Sequence, residues 1–161
     1  MKPRGKFVAH CWNPDGTPDW AMCFRNGITQ GGLDYLGQVG WVNGILQTPW
    51  FLGLIDKLAF ASLSPNDTML SHVGWQEFVG YSQANRPQWV NQEANQSVLT
   101  SSVATFTITT AGTLKGLFLT SDNTIGGTAG ILWATGLPAL EHFVTVGQIV
   151  TVGYSLDLAG G

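Results

Sequence analysis

Short segments in which apolar and polar residues alternate recur along this chain, and they constrain its fold more than any other feature. Gly147–Leu158 alternates cleanly, Val103–Thr109 alternates threonine with apolar residues, and Lys6–Trp12 alternates near the N-terminus. A period of two is typical of strands with one buried face. Glycine, threonine and asparagine, which favour turns, separate the segments. The pattern predicts an all-β protein, either a β-sandwich or a jelly-roll-like barrel.

Apolar runs and capping residues predict the remaining elements. Trp50–Ile55 has the length and composition of a buried strand. We expect one or two short helices. Thr29 is placed to cap the first, and Ser64, followed by Pro65 at the first helical position, is placed to begin the second.

The N-terminal segment predicts a β-hairpin. Asn13–Gly16 is a strong turn sequence between Lys6–Trp12 and Asp19–Arg25, and Trp12 and Trp20 flank the turn. We expect residues 1–27 to form a hairpin or arm and residues 28–161 to form the sandwich body. On that division, deleting residues 1–25 leaves a folded body.

Low charge excludes several classes of function. Only 11% of residues are charged, against a usual share of about 25%, and the net charge is −3. Such a chain has no basic field for nucleic acid. No apolar run approaches the roughly 18 residues of a membrane span. The basic start is not followed by an apolar stretch, so we expect no signal peptide and synthesis in the cytoplasm.

Reactive groups are sparse and unpatterned. His10, His72 and His142 are isolated, and Cys11 and Cys23 lack the spacing of metal ligands. The two cysteines are either ordinary thiols, a disulfide across the hairpin, or two thiol ligands. No nucleophile elbow or phosphate-binding loop is present. We therefore expect no enzyme activity, no catalytic residue, no metal and no cofactor.

Seven tryptophans in so short a chain are the remaining signal. Those beside turns or in polar loops suit protein interfaces or carbohydrate sites, where exposed aromatic residues are enriched. The hairpin 6–25 and the loop 82–97 are the expected interface parts. The candidate partner-binding residues are Phe7, Trp12, Trp20, Trp41, Arg86 and Trp89.

One segment resembles a family of tailed-bacteriophage virion proteins. The resemblance rests on Asp67–Glu77 (DTMLSHVGWQE), which is followed by Tyr81 and then by Arg86 and Pro87. Three more segments are similar to the same family: Asn26–Leu33, Gly116–Gly130 and Val146–Tyr154. The resemblance covers most of the chain after about residue 20.

The resemblance implies a small structural protein of the virion, with no catalytic residue. Within that family we expect a capsid decoration, or cement, protein on the capsid surface. Its expected partners are the major capsid protein and further copies of itself, as a homo-oligomer. A tail or head-to-tail connector component is the alternative. A second alternative, from another class of protein, is a carbohydrate-binding module. Such a module would use Trp12, Trp20 or Trp89 as a stacking platform.

Overall fold

The computed structural model describes residues 3–90, 98–99 and 103–157, which form a mostly β chain with one helix among them. The predicted all-β class is confirmed. The helix α1 spans Gln30–Trp41. The strands are β1 (Arg4–Trp12), β2 (Pro18–Ile28), β3 (Trp50–Asp56), β4 (Glu77–Phe78), β5 (Gln88–Trp89), β6 (Val98–Leu99), β7 (Ala104–Thr107), β8 (Gly112–Thr120), β9 (Leu132–Gly136), β10 (His142–Val144) and β11 (Ile149–Asp157).

The strands form one antiparallel sheet that curls into a half-barrel. Its order is β4-β3-β8-β9-β2-β1-β11-β6, with β5 beside β3, β10 beside β8 and β7 beside β11. The long strand β2 connects the two halves, because most of it pairs with β1 while Gly27 and Ile28 at its end pair with β9. The concave face of this curled sheet encloses the main core.

The predicted N-terminal hairpin is present as β1–β2, and it lies in the middle of the sheet. β1 pairs with β11 along its whole length, from Arg4 opposite Asp157 to Trp12 opposite Ile149. Its inward residues are also core residues, since Phe7 is fully buried against Tyr154, with ring centroids 4.8 Å apart. The hairpin therefore shares one sheet and one core with the other long strands that the structure describes.

The central strands are buried on both faces. β3 is a nearly continuous apolar run in which Leu52 and Leu54 join the main core while Ile55 joins a second cluster on the opposite face. The segment 57–76 covers that second face with Met69 and Trp75. The prediction of a buried strand at Trp50–Ile55 is confirmed, and its lack of alternation reflects this two-sided burial.

The helix predicted after Thr29 is confirmed. Thr29 has an extended backbone, and its side-chain oxygen accepts a hydrogen bond from Gly32 N at 3.1 Å. The same hydroxyl donates to the carbonyl of Leu132, and Thr29 N donates to the carbonyl of Trp133 at 3.0 Å. The cap residue thus fixes the start of α1 onto β9.

The second helix, predicted from Ser64 and Pro65, is wrong, because this segment forms turns. The Asp67 carboxylate accepts hydrogen bonds from Ser64 N at 2.9 Å and from the indole of Trp75 at 3.0 Å. Its Oδ2 atom therefore closes a turn and holds the tryptophan that fills the second cluster. Serine and aspartate stabilise turns as readily as helix starts.

Candidate functional site

Three of the predicted interface residues lie in the interior. Phe7 is 0% exposed, Arg86 2% and Trp89 7%. A partner docking on the folded chain cannot contact side chains that the core already encloses. These three residues are therefore removed from the candidate interface, and each has a structural role instead.

Trp89 illustrates the error in treating residues 82–97 as one polar loop. Residues 88 and 89 form β5, where Trp89 pairs with Trp50 of β3. Its indole nitrogen donates to the carbonyl of Tyr154 at 3.2 Å, and the two rings meet edge to face at 5.8 Å. Of the predicted loop 82–97, residues 91–97 lie outside the described residues.

Arg86 is the centre of a buried ion-pair network. Its Nε donates to Glu77 Oε1 at 2.9 Å and its Nη2 to Glu77 Oε2 at 2.8 Å. Its other donors reach the carbonyls of Asp122 at 2.9 Å and Gly127 at 3.1 Å, and the guanidinium lies 5.3 Å from the ring centroid of Phe118. The network holds the 121–130 loop against the sheet. Glu77 and Arg86, two residues of the motif noted in the sequence, therefore have a structural role.

The two tryptophans at the hairpin turn do not pair with each other. Trp12 lies opposite Pro18 across the hairpin, is 36% exposed and stacks on His10. Trp20 is half-buried and stacks on His142 with ring centroids 4.4 Å apart. Only Trp12 of this pair offers much surface to a partner.

Trp41 is the predicted interface residue that the structure leaves most open, at 90% exposure. It ends α1 and begins an apolar loop, residues 41–46, in which Val42 is 73% exposed, Ile45 83% and Leu46 67%. We call these six residues the 41–46 loop. Singly scattered apolar side chains are normal on a surface, but several in one short segment mark an interaction site.

The 41–46 loop is held in shape by the end of the helix. Val42 N and Gly44 N both donate to the carbonyl of Gln38, at 3.0 and 2.9 Å, and Asn43 adopts the left-handed backbone that commonly ends helices. The helix end therefore holds the first part of the loop, from Trp41 to Gly44.

The sequence analysis found only Trp41 in this loop and missed Val42, Ile45 and Leu46. The available signal was an apolar cluster between glycines at the end of a predicted helix. Residues 35–55 also contain no charged side chain, so no charge opposes burial of this surface.

The described residues offer little reactive chemistry. No group of three or more histidine, cysteine, aspartate or glutamate side chains among them is arranged to hold a metal ion. Cys11 and Cys23 are both free thiols, and burial raises the pKa of Cys11 to about 11. Over the described ranges, no helix has the length and apolar character needed to cross a membrane.

In comparisons with known proteins, no family model matches the chain, and no curated protein matches it either. The geometry of the exposed residues is therefore the basis for assigning a function.

Proposed function

We propose that this chain is a bacteriophage capsid decoration protein, made in the host cytoplasm, that binds the outside of the major capsid protein lattice and stabilises the head. In this proposal it acts as a homo-oligomer and catalyses no reaction. The observation that carries the proposal is the 41–46 loop, an uncharged group of exposed apolar side chains. The phage-like segments supply the identity of the partner.

The chemistry of the 41–46 loop suits permanent docking. Tryptophan is enriched among the residues that dominate interface energies, and Trp41 is almost wholly exposed. Because the helix end holds the first part of the loop, little conformational entropy is lost there on binding. An apolar contact is also less sensitive to salt than pairing of surface charges.

The symmetry of a capsid strengthens this kind of contact. Weak contacts repeated around a shell give large avidity without one strong site. A protein that binds only the assembled lattice also stabilises it by mass action. A rigid all-β body with one docking loop is sufficient for that role.

Mixing purified protein with undecorated heads tests the proposal. We expect stoichiometric uptake of the wild-type chain, measured by co-sedimentation, and at least about tenfold weaker uptake of the double variant Trp41→Ser/Ile45→Ser. The matched control is Leu70→Ser/Val73→Ser, since Leu70 is 79% and Val73 98% exposed but both lie outside the loop. Absence of wild-type uptake would reject the decoration function.

The tail or connector alternative comes from the same family resemblance. Labelling the protein in intact particles separates the two, because a decoration protein gives signal over the whole capsid and a connector gives signal at one vertex. For the carbohydrate alternative, burial removes Trp89 as a stacking platform and leaves Trp12 the most exposed of its three tryptophans.

A further inference from the structure

An aromatic cavity of about 360 Å³ lies between α1 and the concave side of the sheet. Tyr35, Leu36 and Val39 of the helix line one side, and Leu119 and Leu156 of the sheet line another. The rest of the lining consists of four aromatic residues, Trp50, Trp89, Trp133 and Tyr154, together with residues 46–49 and Gln88. The volume falls in the range of about 300–1,000 Å³ that is usual for small-molecule sites.

Contacts among the aromatic rings hold the cavity wall in place. Trp50 meets Trp133 with centroids 5.7 Å apart and planes at 67°, and Tyr35 meets Trp50 at 5.4 Å and 68°. Tyr35 also meets Trp133 edge to face at 6.4 Å. Such tilted packing is the favoured geometry for aromatic pairs. The cavity wall is therefore preformed rather than assembled around a ligand.

The polar atoms of three aromatic side chains in the wall already have partners. The Trp133 indole donates to the Tyr154 hydroxyl at 3.0 Å, and the Trp89 indole donates to the Tyr154 carbonyl at 3.2 Å. The Tyr35 hydroxyl accepts from Gln47 N at 2.7 Å. Among the described residues, no charged side chain lines the cavity. An ionic ligand would find no compensating charge there, and a sugar would find only the side chains of Gln47, Thr48 and Gln88 for its hydroxyls.

Size and chemistry together define the ligand class. An apolar cavity of about 150 Å³ holds one benzene ring, so this cavity has room for about two rings. We propose that the cavity is a binding site for an uncharged aromatic compound of two fused or linked rings. Leu46 of the 41–46 loop borders the cavity, but the proposal rests on the cavity lining and not on the head-binding function.

The uncharged two-ring fluorophore 2-naphthol is the probe that tests this site. We expect saturable binding of one molecule per full-length chain, with quenching of tryptophan emission because the rings approach Trp50 and Trp133. Indole should displace the probe, and maltose should not. Unsaturable binding, or displacement by maltose but not by indole, overturns the proposal.

Variants that fill the cavity locate the binding. Val39→Trp on α1 should weaken probe binding at least about tenfold, and Gln88→Trp on β5 repeats the test from a second element. Val73→Trp is the matched control, since it adds the same indole at a site that is 98% exposed and outside the cavity lining. Circular dichroism checks that each variant is folded. Unchanged binding in both cavity variants, or loss in Trp41→Ser/Ile45→Ser instead, assigns the probe to another surface and overturns the proposal.

Discussion

Arg86 joins two short strands and a loop that are distant in sequence. Its guanidinium reaches the Glu77 carboxylate and the carbonyls of Asp122 and Gly127, with no exposed side-chain surface. A buried charge of this kind is tolerated because nearly every donor has a charged or carbonyl acceptor.

Removing the guanidinium leaves Glu77 as an uncompensated charge that is only 6% exposed. We expect Arg86→Met to lower the free energy of unfolding by about 3–5 kcal/mol in urea denaturation. Lys57→Met is the control, because the Lys57–Glu141 pair is 46% and 42% exposed and water screens such a surface pair, so that its loss should change stability little. Equal losses in the two variants would contradict the structural role of Arg86.

His142 gives the chain a pH dependence with a definite sign. Burial beside Trp20 lowers the pKa of His142, while the charge of Asp19 opposes this shift. The unfolded chain therefore takes up this proton first, and the contribution of His142 to stability is lost as pH falls below the ordinary histidine value of about 6.5.

We expect an NMR titration of His142 to show a midpoint below that ordinary value. Trp20→Ala exposes the imidazole and should move the midpoint upward. Trp12→Ala, whose ring stacks on His10 instead, should leave it unchanged. If the midpoint of His142 does not change in Trp20→Ala, burial under the indole is not the cause of its lowered pKa.

Residue type and local pattern could not reveal which aromatic residues are exposed. Trp41 and Trp89 both lie beside polar or glycine-rich sequence, yet one is 90% and the other 7% exposed. The difference comes from partners far along the chain, since Trp89 is covered through Trp50 and Tyr154. Exposure of this kind depends on tertiary pairing, which a single sequence does not encode locally.

Helix α1 was predictable because its start signal is local. Thr29 also has a role that the sequence does not show, since its hydroxyl bonds to the carbonyl of Leu132 on β9. We expect Thr29→Ala to lower the free energy of unfolding by about 1–3 kcal/mol, because it removes the cap and the buried hydrogen bond to the Leu132 carbonyl. Thr29→Ser keeps the hydroxyl and should lose less than about 1 kcal/mol in the same urea titration. Similar losses would show that the hydroxyl contributes little.

The turn sequences at Asn13–Gly16 and at Ser64–Asp67 had different outcomes for a physical reason. The first is flanked by two alternating segments, so its hairpin was predictable from neighbouring residues alone. The second lacks an amphipathic helical run after it, and the Asp67 carboxylate bonds to Trp75. A capping residue predicts a helix only where an apolar helical face follows.

The hairpin was predictable as an element, but its position in the sheet was not. β1 is the partner of β11 over nine residues, and the hairpin supplies Phe7, Ala9, Cys11 and Met22 to the main core. We therefore expect deletion of residues 1–25 to abolish the β-sheet signal and the cooperative melt in circular dichroism. A truncation that removes only residues 1–3 leaves β1 intact and should remain folded. A cooperative melt of the 1–25 deletion variant would instead show that the hairpin is an arm separate from the folded body.

The order of the strands in the sheet could not be predicted from the sequence. Neighbours such as β2 and β9, or β3 and β8, are far apart in the chain, and their pairing follows from closing one curved core. The all-β class needed only local periodicity, which the chain shows clearly. Among the candidate interface residues, Trp41 of the 41–46 loop stays most exposed, whereas Phe7, Arg86 and Trp89 are buried by the fold.

Calorimetry of undecorated heads tests the proposed stabilising role most directly. Added wild-type protein, and equally the Leu70→Ser/Val73→Ser control, should raise the temperature at which the heads dissociate. The Trp41→Ser/Ile45→Ser variant should leave that temperature unchanged, because it lacks two of the apolar side chains through which we propose that the chain binds the lattice. No rise with the wild-type protein, or the same rise with the loop variant, would contradict docking through residues 41–46.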